Sequence, residues 1–349
     1  MPKLVLKARQ KRRELSEIMR RMIVSGQLQS GSKFPTYQQM ERMFDTSRGT
    51  LQYAVAELQR DGYLIGRKRR DLIVAEHLPC YSRFALLIEN SEHGNQFWKK
   101  MVDGCSRLEE SGVSIEIYRN MSAPMESGRR KLQDAIDALR IGGCFFIFDP
   151  VGEWQNNLLN NERIPKVVFS KEPNDNPSVI TATFEINAQL SLVGQCMREK
   201  GVRRAACITM GNQEASNLFE TVMQRYGIAT DSYLNQSIPE TKRSAAANLV
   251  ELLLQLPPEI RPDGIYVNDE NLLEYVIHGI IAGNPVRWKH LRLVSHANFP
   301  TSQVYPIPVD RIGYDTMEIL KQAALRLGEW HRNGNTERIL ITPKWEKSQ

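Results

Sequence analysis

Apolar residues recur along the first 76 positions with two different periods. Leu15, Ile18, Met19, Met22 and Ile23 fall on one stripe of a 3.6-residue helix whose remaining positions are largely charged. Ser25-Gly26 and Ser30-Gly31 break that helix. Pro35 then precedes Thr36 and Gln39, spaced as a capping box that opens a short second helix with Met40, Met43 and Phe44 turned inward. A third helix begins near Ser47, with Leu51, Ala54, Val55 and Leu58 on its apolar face and Asp61-Gly62 as its stop. Two short apolar runs follow, Tyr63-Leu64-Ile65 and Leu72-Ile73-Val74, joined by Gly66-Arg67-Lys68-Arg69-Arg70-Asp71. That spacing predicts a β-hairpin.

From residue 83 onward the period changes. Apolar runs at 84–88, 115–118, 144–148, 167–169, 179–183, 205–209, 264–267 and 291–295 read as short strands. Helical patterns at 96–111, 126–140, 185–200, 215–226, 242–256 and 270–283 separate most of them. Strand–helix repetition of this kind predicts α/β architecture, with mostly parallel sheets covered on both faces. The body is long for one open sheet, so the pattern divides it into two similar lobes, 83–184 with 309–332 and 185–308 with 338–345. Residues 77–82, with Pro79, read as a short linker.

Charge sharpens this division. Residues 1–76 carry 16 Lys and Arg against 8 Asp and Glu, a net of +8. The rest of the chain keeps 30 of the 46 basic and 32 of the 40 acidic residues, a net of −2. A basic head on a near-neutral body suits a polyanionic partner for the head alone. No run of about 18 apolar residues occurs, so no membrane span is expected. The basic start, residues 1–13, lacks the apolar core of an export signal, which points to a cytoplasmic protein. Five cysteines at irregular spacing read as reduced thiols rather than a metal or disulfide framework.

The third helix also carries chemistry. Its first turn offers Ser47, Arg48, Thr50 and Gln52 away from the apolar face. Arg pairs with guanine edges and Gln with adenine edges, as at the start of a recognition helix. Four adjacent cations, Arg67, Lys68, Arg69 and Arg70, at a hairpin tip repel one another unless an anion neutralises them, and DNA phosphates supply it. Three helices followed by a basic hairpin is winged helix-turn-helix order.

At this point the head resembles the gluconate-repressor (GntR) family. The segments that carry the resemblance are Ser25-Gly26-Gln27-Leu28-Gln29-Ser30-Gly31-Ser32-Lys33-Phe34-Pro35, Ser47-Arg48-Gly49-Thr50-Leu51 and Leu58-Gln59-Arg60-Asp61-Gly62-Tyr63-Leu64. It implies DNA contacts from Ser47, Arg48, Thr50 and the wing, with Thr36 at the start of the second helix. The family's second-helix Arg falls on Gln38, and a recognition-helix Arg falls on Gln52. The family's operator therefore does not carry over.

The body resembles the sensor domain of the lactose/galactose-repressor (LacI/GalR) family. Arg163-Ile164-Pro165-Lys166-Val167-Val168-Phe169, Gly201-Val202-Arg203-Arg204-Ala205-Ala206-Cys207-Ile208 and Arg261-Pro262-Asp263-Gly264-Ile265-Tyr266-Val267-Asn268-Asp269 carry this likeness in order and spacing. It implies a two-lobed, periplasmic-binding-protein-like body with Rossmann-like parallel sheets and a small-molecule effector, carbohydrate-like, between the lobes. The combination is that of arabinose-repressor-like regulators.

The effector candidates are Phe97, Trp98, Ser170, Asn268, Asp269 and His296. Each has a second reading: core packing for the Phe97-Trp98 pair, an Asx turn for Asn268-Asp269, a structural role for His296. A family Asp that binds sugar hydroxyls falls near Ser170, and a family Arg falls on Ala215, which removes a bidentate clamp for vicinal hydroxyls. A body kept only for dimerisation, blind to ligands, is the alternative.

No phosphate loop, dinucleotide fingerprint, nucleophile elbow or zinc-protease helix occurs, so neither enzyme activity nor a cofactor or metal is expected. The expectation is a homodimeric, repressor-type regulator on a pseudo-palindromic duplex operator. A soluble binding protein or enzyme without a DNA role is a distant third.

Overall fold

A computed structural model of the chain describes residues 8–66, 71–88, 95–119, 121, 127–147, 153–211, 213–283, 290–301 and 303–346. The head comprises α1 (Ala8–Val24), α2 (Tyr37–Phe44), α3 (Arg48–Arg60), β1 (Leu64–Gly66) and β2 (Leu72–Val74). β1 and β2 pair antiparallel, Leu64 against Val74, as the spacing predicts. Leu15, Met19 and Ile23 of α1 meet Met40 of α2 and Leu51, Ala54, Val55 and Leu58 of α3 in one core. Leu51 is fully buried there, so truncating it to Ala removes about 2–5 kcal/mol. Leu78 and Cys80, just beyond β2, complete this core.

The body strands and helices alternate: β3 (Arg83–Leu87), α4 (Gln96–Leu108), β4 (Ser114–Tyr118), α5 (Ser127–Asp137), β5 (Cys144–Phe146), α6 (Glu153–Leu159), β6 (Lys166–Phe169) and β7 (Val179–Phe184). The chain continues through α7 (Ile186–Glu199), β8 (Ala205–Met210), α8 (Gln213–Arg225), β9 (Asn235–Ile238), α9 (Ala245–Gln255), β10 (Gly264–Val267) and α10 (Leu273–Gly283). It ends with β11 (Arg292–Phe299), β12 (Asp310–Asp315), α11 (Thr316–Asn333), β13 (Ile339–Ile341) and β14 (Lys344–Trp345). Two six-stranded sheets result, ordered β13-β7-β6-β5-β3-β4 and β14-β12-β11-β10-β8-β9.

The chain divides into two compact units. The first holds Met1–Asn90, Cys105–Thr181 and Ala323–Glu337, and the second holds Ser91–Gly104, Ala182–Gln322 and Arg338–Gln349. In the second unit, neighbours along a strand serve opposite cores, because side chains alternate across a sheet. Ala206, Ile208, Ile265, Val267 and Leu293 face α9 and α10. Ala205, Cys207, Tyr266 and Val294 face α7 and α8. Both faces are therefore apolar, as a covered parallel sheet requires.

Four strands were not legible as such. β9, β12, β13 and β14 are polar or very short. Residues 310–315, which the pattern groups with the first lobe, form β12 beside β11 in the second sheet. Residues 339–341, grouped with the second lobe, form β13 and run parallel to β7.

Candidate functional site

Among the described residues, the head and the second unit each gather polar groups around accessible space. The first such place is in the head. Thr36 caps α2 from an extended conformation: its Oγ1 accepts from Gln39 N at 3.3 Å, and its own N–H donates to Gln39 Oε1 at 2.8 Å. Ser47 caps α3, its Oγ accepting from Thr50 N at 3.4 Å and lying 3.1 Å from Thr50 Oγ1. Asp45 makes the turn between the helices in the left-handed region, φ 44°, which Asp tolerates better than most residues.

These caps aim the first turn of α3 outward. Arg48 and Gln52 are exposed there, and Gln38 is exposed on α2. The Arg48 guanidinium rests over the Tyr37 ring, 5.6 Å from its centroid, which steadies a long side chain at an open surface. A groove of about 560 Å³ runs beside it, with Lys33, Gln38, Arg48 and Asp71 among its walls. Lys33 and Asp71, the residue before β2, form a 2.9 Å ion pair. Of the sequence candidates in the head, Thr36, Gln38 and Arg48 line this groove. Ser47 and Thr50 spend their hydroxyls on the cap, and Gln52 lies one turn further along α3. Arg67, Lys68, Arg69 and Arg70 lie outside the described residues.

The second place is a cavity of about 270 Å³ inside the second unit. Cavities of about 150 Å³ hold one aromatic ring, so this one has room for a ring and its substituents. Phe97 of α4, Phe184 of β7 and Tyr314 of β12 form an aromatic run, with Phe97–Phe184 centroids 6.2 Å apart and Phe184–Tyr314 4.7 Å apart. His296 of β11 extends it, 5.7 Å from Tyr314. Asn268, Asp269 and Asn271, just past the carboxyl end of β10, face this run across the cavity. Ligands of open α/β sheets bind at that end of the strands.

Hydrogen bonds hold the polar wall in place. Asp269 Oδ1 accepts from Asn271 N at 2.8 Å and from Asn271 Nδ2 at 2.7 Å, while Asn271 Oδ1 accepts from Gln96 N at 3.0 Å. Among the described residues both bonds to this carboxylate fall on Oδ1. Burial raises the Asp269 pKa, opposed by the bonds from Asn271 and by His296. Gln189 Nε2 donates 2.9 Å to the Tyr266 hydroxyl and lies 2.9 Å from His296 Nδ1. That pairing fits a neutral imidazole with its proton on Nε2, and burial lowers the His296 pKa against the pull of Glu270 and Asp269.

Behind the wall, Lys100 Nζ donates to Glu270 Oε2 at 2.8 Å and to Asn298 O at 2.6 Å. Asn298 Nδ2 donates to Glu270 Oε1 at 2.7 Å. Among the described lining residues, one fully buried polar atom has no partner: the hydroxyl of Tyr314, in a side chain that is almost wholly buried. Burial raises its pKa as well. That hydroxyl is closed off from solvent, so it bears the cost of an unmade hydrogen bond in the fold.

Phe97, Asn268, Asp269 and His296 thus come together from the sequence candidates. Trp98 is not part of the lining, and Ser170, in the first unit, turns its Oγ to accept from Glu172 N at 3.2 Å. Asn95, Phe184, Gln189, Asn271, Asn298 and Tyr314 were missed as site residues. Asn298 follows two positions after His296 on β11, so the period-2 rule could have found it. Among the described residues no helix is long and apolar enough to cross a membrane, and no group of three His, Cys, Asp or Glu could hold a metal ion.

Residues 11–74 match the family described as bacterial regulatory proteins, gntR family. The head is of that type. The body has the fold of LacI-type regulators. A regulatory protein of the LacI family from Chloroflexus aggregans is 15% identical with a TM-score of 0.59, over 75% of this chain and 96% of that one. A LacI family transcriptional regulator from Bifidobacterium animalis subsp. lactis gives 15% and 0.58, over 76% and 96%. The transcriptional regulator CelR in complex with cellobiose gives 15% and 0.60, over 90% and 99%. A comparison with curated proteins finds no match.

Proposed function

We propose that the chain is a cytoplasmic DNA-binding transcription regulator of repressor type, acting as a homodimer, whose operator affinity responds to a small uncharged carbohydrate-like effector in the second-unit cavity. The observation that carries the first half is the capped N-terminal turn of α3, which presents Arg48 and Gln52 to solvent in a head of gntR type. Arg and Gln at that position read base edges in the major groove. A two-fold dimer would engage two half-sites about one helical turn apart.

The effector half rests on the cavity chemistry. Aromatic rings offer faces for the apolar side of a sugar ring, while amides and Asp269 offer partners for its hydroxyls. Among the described lining residues there is no Lys or Arg, so a phosphate or carboxylate would meet Asp269 with no counter-charge. The cellobiose held by CelR is a ligand of this chemical class. For such a ligand to regulate, it must bind the DNA-competent and DNA-incompetent arrangements with different affinity.

Selection from a random pool of duplexes by the full chain tests the DNA half, with a pseudo-palindrome as the expected product and none from Arg48→Ala at the same stringency. Thermal melting with cellobiose and a panel of neutral mono- and disaccharides, set against their phosphorylated forms, tests the effector half. A shift given by a phosphorylated sugar alone would contradict it.

A further inference from the structure

Within the first unit, the head touches the end of α5 through two buried polar side chains. Arg20, on the inner face of α1, is only 1% exposed. Its Nη2 donates to Asp61 Oδ2 at 2.5 Å, and its guanidinium lies 5.3 Å over the Tyr63 ring. Those partners belong to the head. Its Nη1, however, donates 2.8 Å to the carbonyl of Ala138. Tyr63, fully buried, donates its hydroxyl to the carbonyl of Leu139.

Ala138 and Leu139 follow directly on α5. A helix leaves its last carbonyls without partners in the helix itself. Here Leu139 N donates to Ile136 O at 2.9 Å and Arg140 N to Ala135 O at 2.8 Å, the Schellman pattern. Leu139 takes the left-handed position, φ 54°, which normally falls to glycine because a Cβ is disfavoured there. The next two carbonyls along the chain, of Ala138 and Leu139, are met by the guanidinium and the phenol of the head. A cation at that end also suits the helix dipole. The packing continues next door. Gly142 passes so close to the Cys80 carbonyl that a Cβ would stand 1.5 Å from it, and His331, which pairs with the Gly142 carbonyl, lies 4.7 Å from the Tyr81 ring.

We infer that Arg20 and Tyr63 are positioning residues that cap α5 from the head, so that the head moves in one piece with α5 instead of swinging on residues 77–82. In regulatory terms this rests on the proposed reading of the head as DNA-binding: a displacement of α5 would then re-aim α3 directly. A plain intra-head bridge between Arg20 and Asp61 would leave the α5 carbonyls out of account.

Hydrogen exchange by mass spectrometry on the full chain separates the two. The variants are Tyr63→Phe, which deletes one oxygen atom, and Arg20→Gln with Asp61→Asn, which removes the charge pair together. Expected is faster exchange at residues 135–143, about tenfold or more in the double variant and smaller in Tyr63→Phe, with α3 peptides still protected. Calorimetry of the double variant should show the head melting apart from the remainder of its unit. Wild-type exchange at 135–143 in both variants would overturn the inference. If the double variant loses its fold, Tyr63→Phe decides alone: unchanged exchange at 138–143 overturns it, faster exchange supports it. Binding of the same proteins to a 30-base-pair mixed-sequence duplex in dilute salt keeps the questions apart. A wild-type chain that ignores the duplex refutes the DNA reading, while the exchange pattern still decides the capping.

Discussion

The reading face of the head and the cavity of the second unit handle polar groups in opposite ways. The face is one continuous stretch of chain, from Lys33 to Asp71, with its cations in solvent. The cavity draws on segments from Asn95 to Tyr314, holds half-buried polar side chains and, among the described residues, keeps the Lys100 ammonium behind the wall on Glu270. An exposed cation is cheap to display and screened by salt, so it suits an extended polyanion. A half-buried neutral-to-acidic wall favours a small uncharged guest whose hydroxyls replace water bonds. On the proposed reading, the contrast suits a macromolecule at one place and a small molecule at the other.

The largest effect should come from Glu270→Gln. Lys100 and Glu270 side chains are 13% and 6% exposed, and losing the carboxylate strands a buried cation, which costs about 3–5 kcal/mol. Denaturant melts should register that loss in the second unit. Arg48→Ala should do the reverse: duplex affinity falls by about 1–3 kcal/mol while the melt stays within about 0.5 kcal/mol. Replacing Arg67, Lys68, Arg69 and Arg70 with Ser should flatten the salt dependence of binding, by about one unit of slope for each phosphate no longer neutralised. Tyr314→Phe removes an unpartnered buried hydroxyl, so the protein should melt at the same temperature or slightly higher.

The smallest effect is a pH slope. His296 has a lowered pKa because it is buried, facing Asp269, Glu270 and Lys100, and His331 has a lowered one for the same reason beside the Gly142 carbonyl. Each therefore binds its proton less readily in the fold than in the unfolded chain. Stability should therefore fall as pH drops below about 6.5, the ordinary histidine value. The raised Asp269 pKa acts the other way at lower pH, where the fold takes up its proton. Circular-dichroism melts at pH 7.5 and 5.5 check the sign, and His331→Gln should weaken the slope without touching the cavity.

Sequence made the head far more legible than the cavity. Capping signals, an apolar stripe and a basic hairpin are local, and they lie within the span of a single motif. The cavity is assembled by topology. Tyr314 was hidden because Asp310-Arg311-Ile312-Gly313-Tyr314-Asp315 is too polar to read as a strand, although Gly313 is needed where β12 passes the Ala297 carbonyl. Gln189 sits on a helix face that reads as solvated, and only packing shows it turned inward to Tyr266 and His296. Ser170 and Trp98 looked suitable by residue type and chain position alone, and neither position fixes a direction in space.

The proposed regulation depends on the head meeting duplex phosphates. The most direct test is the affinity of the purified full chain for a 30-base-pair duplex across a salt series. A steep linear fall of log affinity with log salt, shallower by about one unit or more once the wing cations are neutralised, is the predicted result. Affinity that is absent in dilute buffer, or indifferent to both salt and the wing, would contradict it.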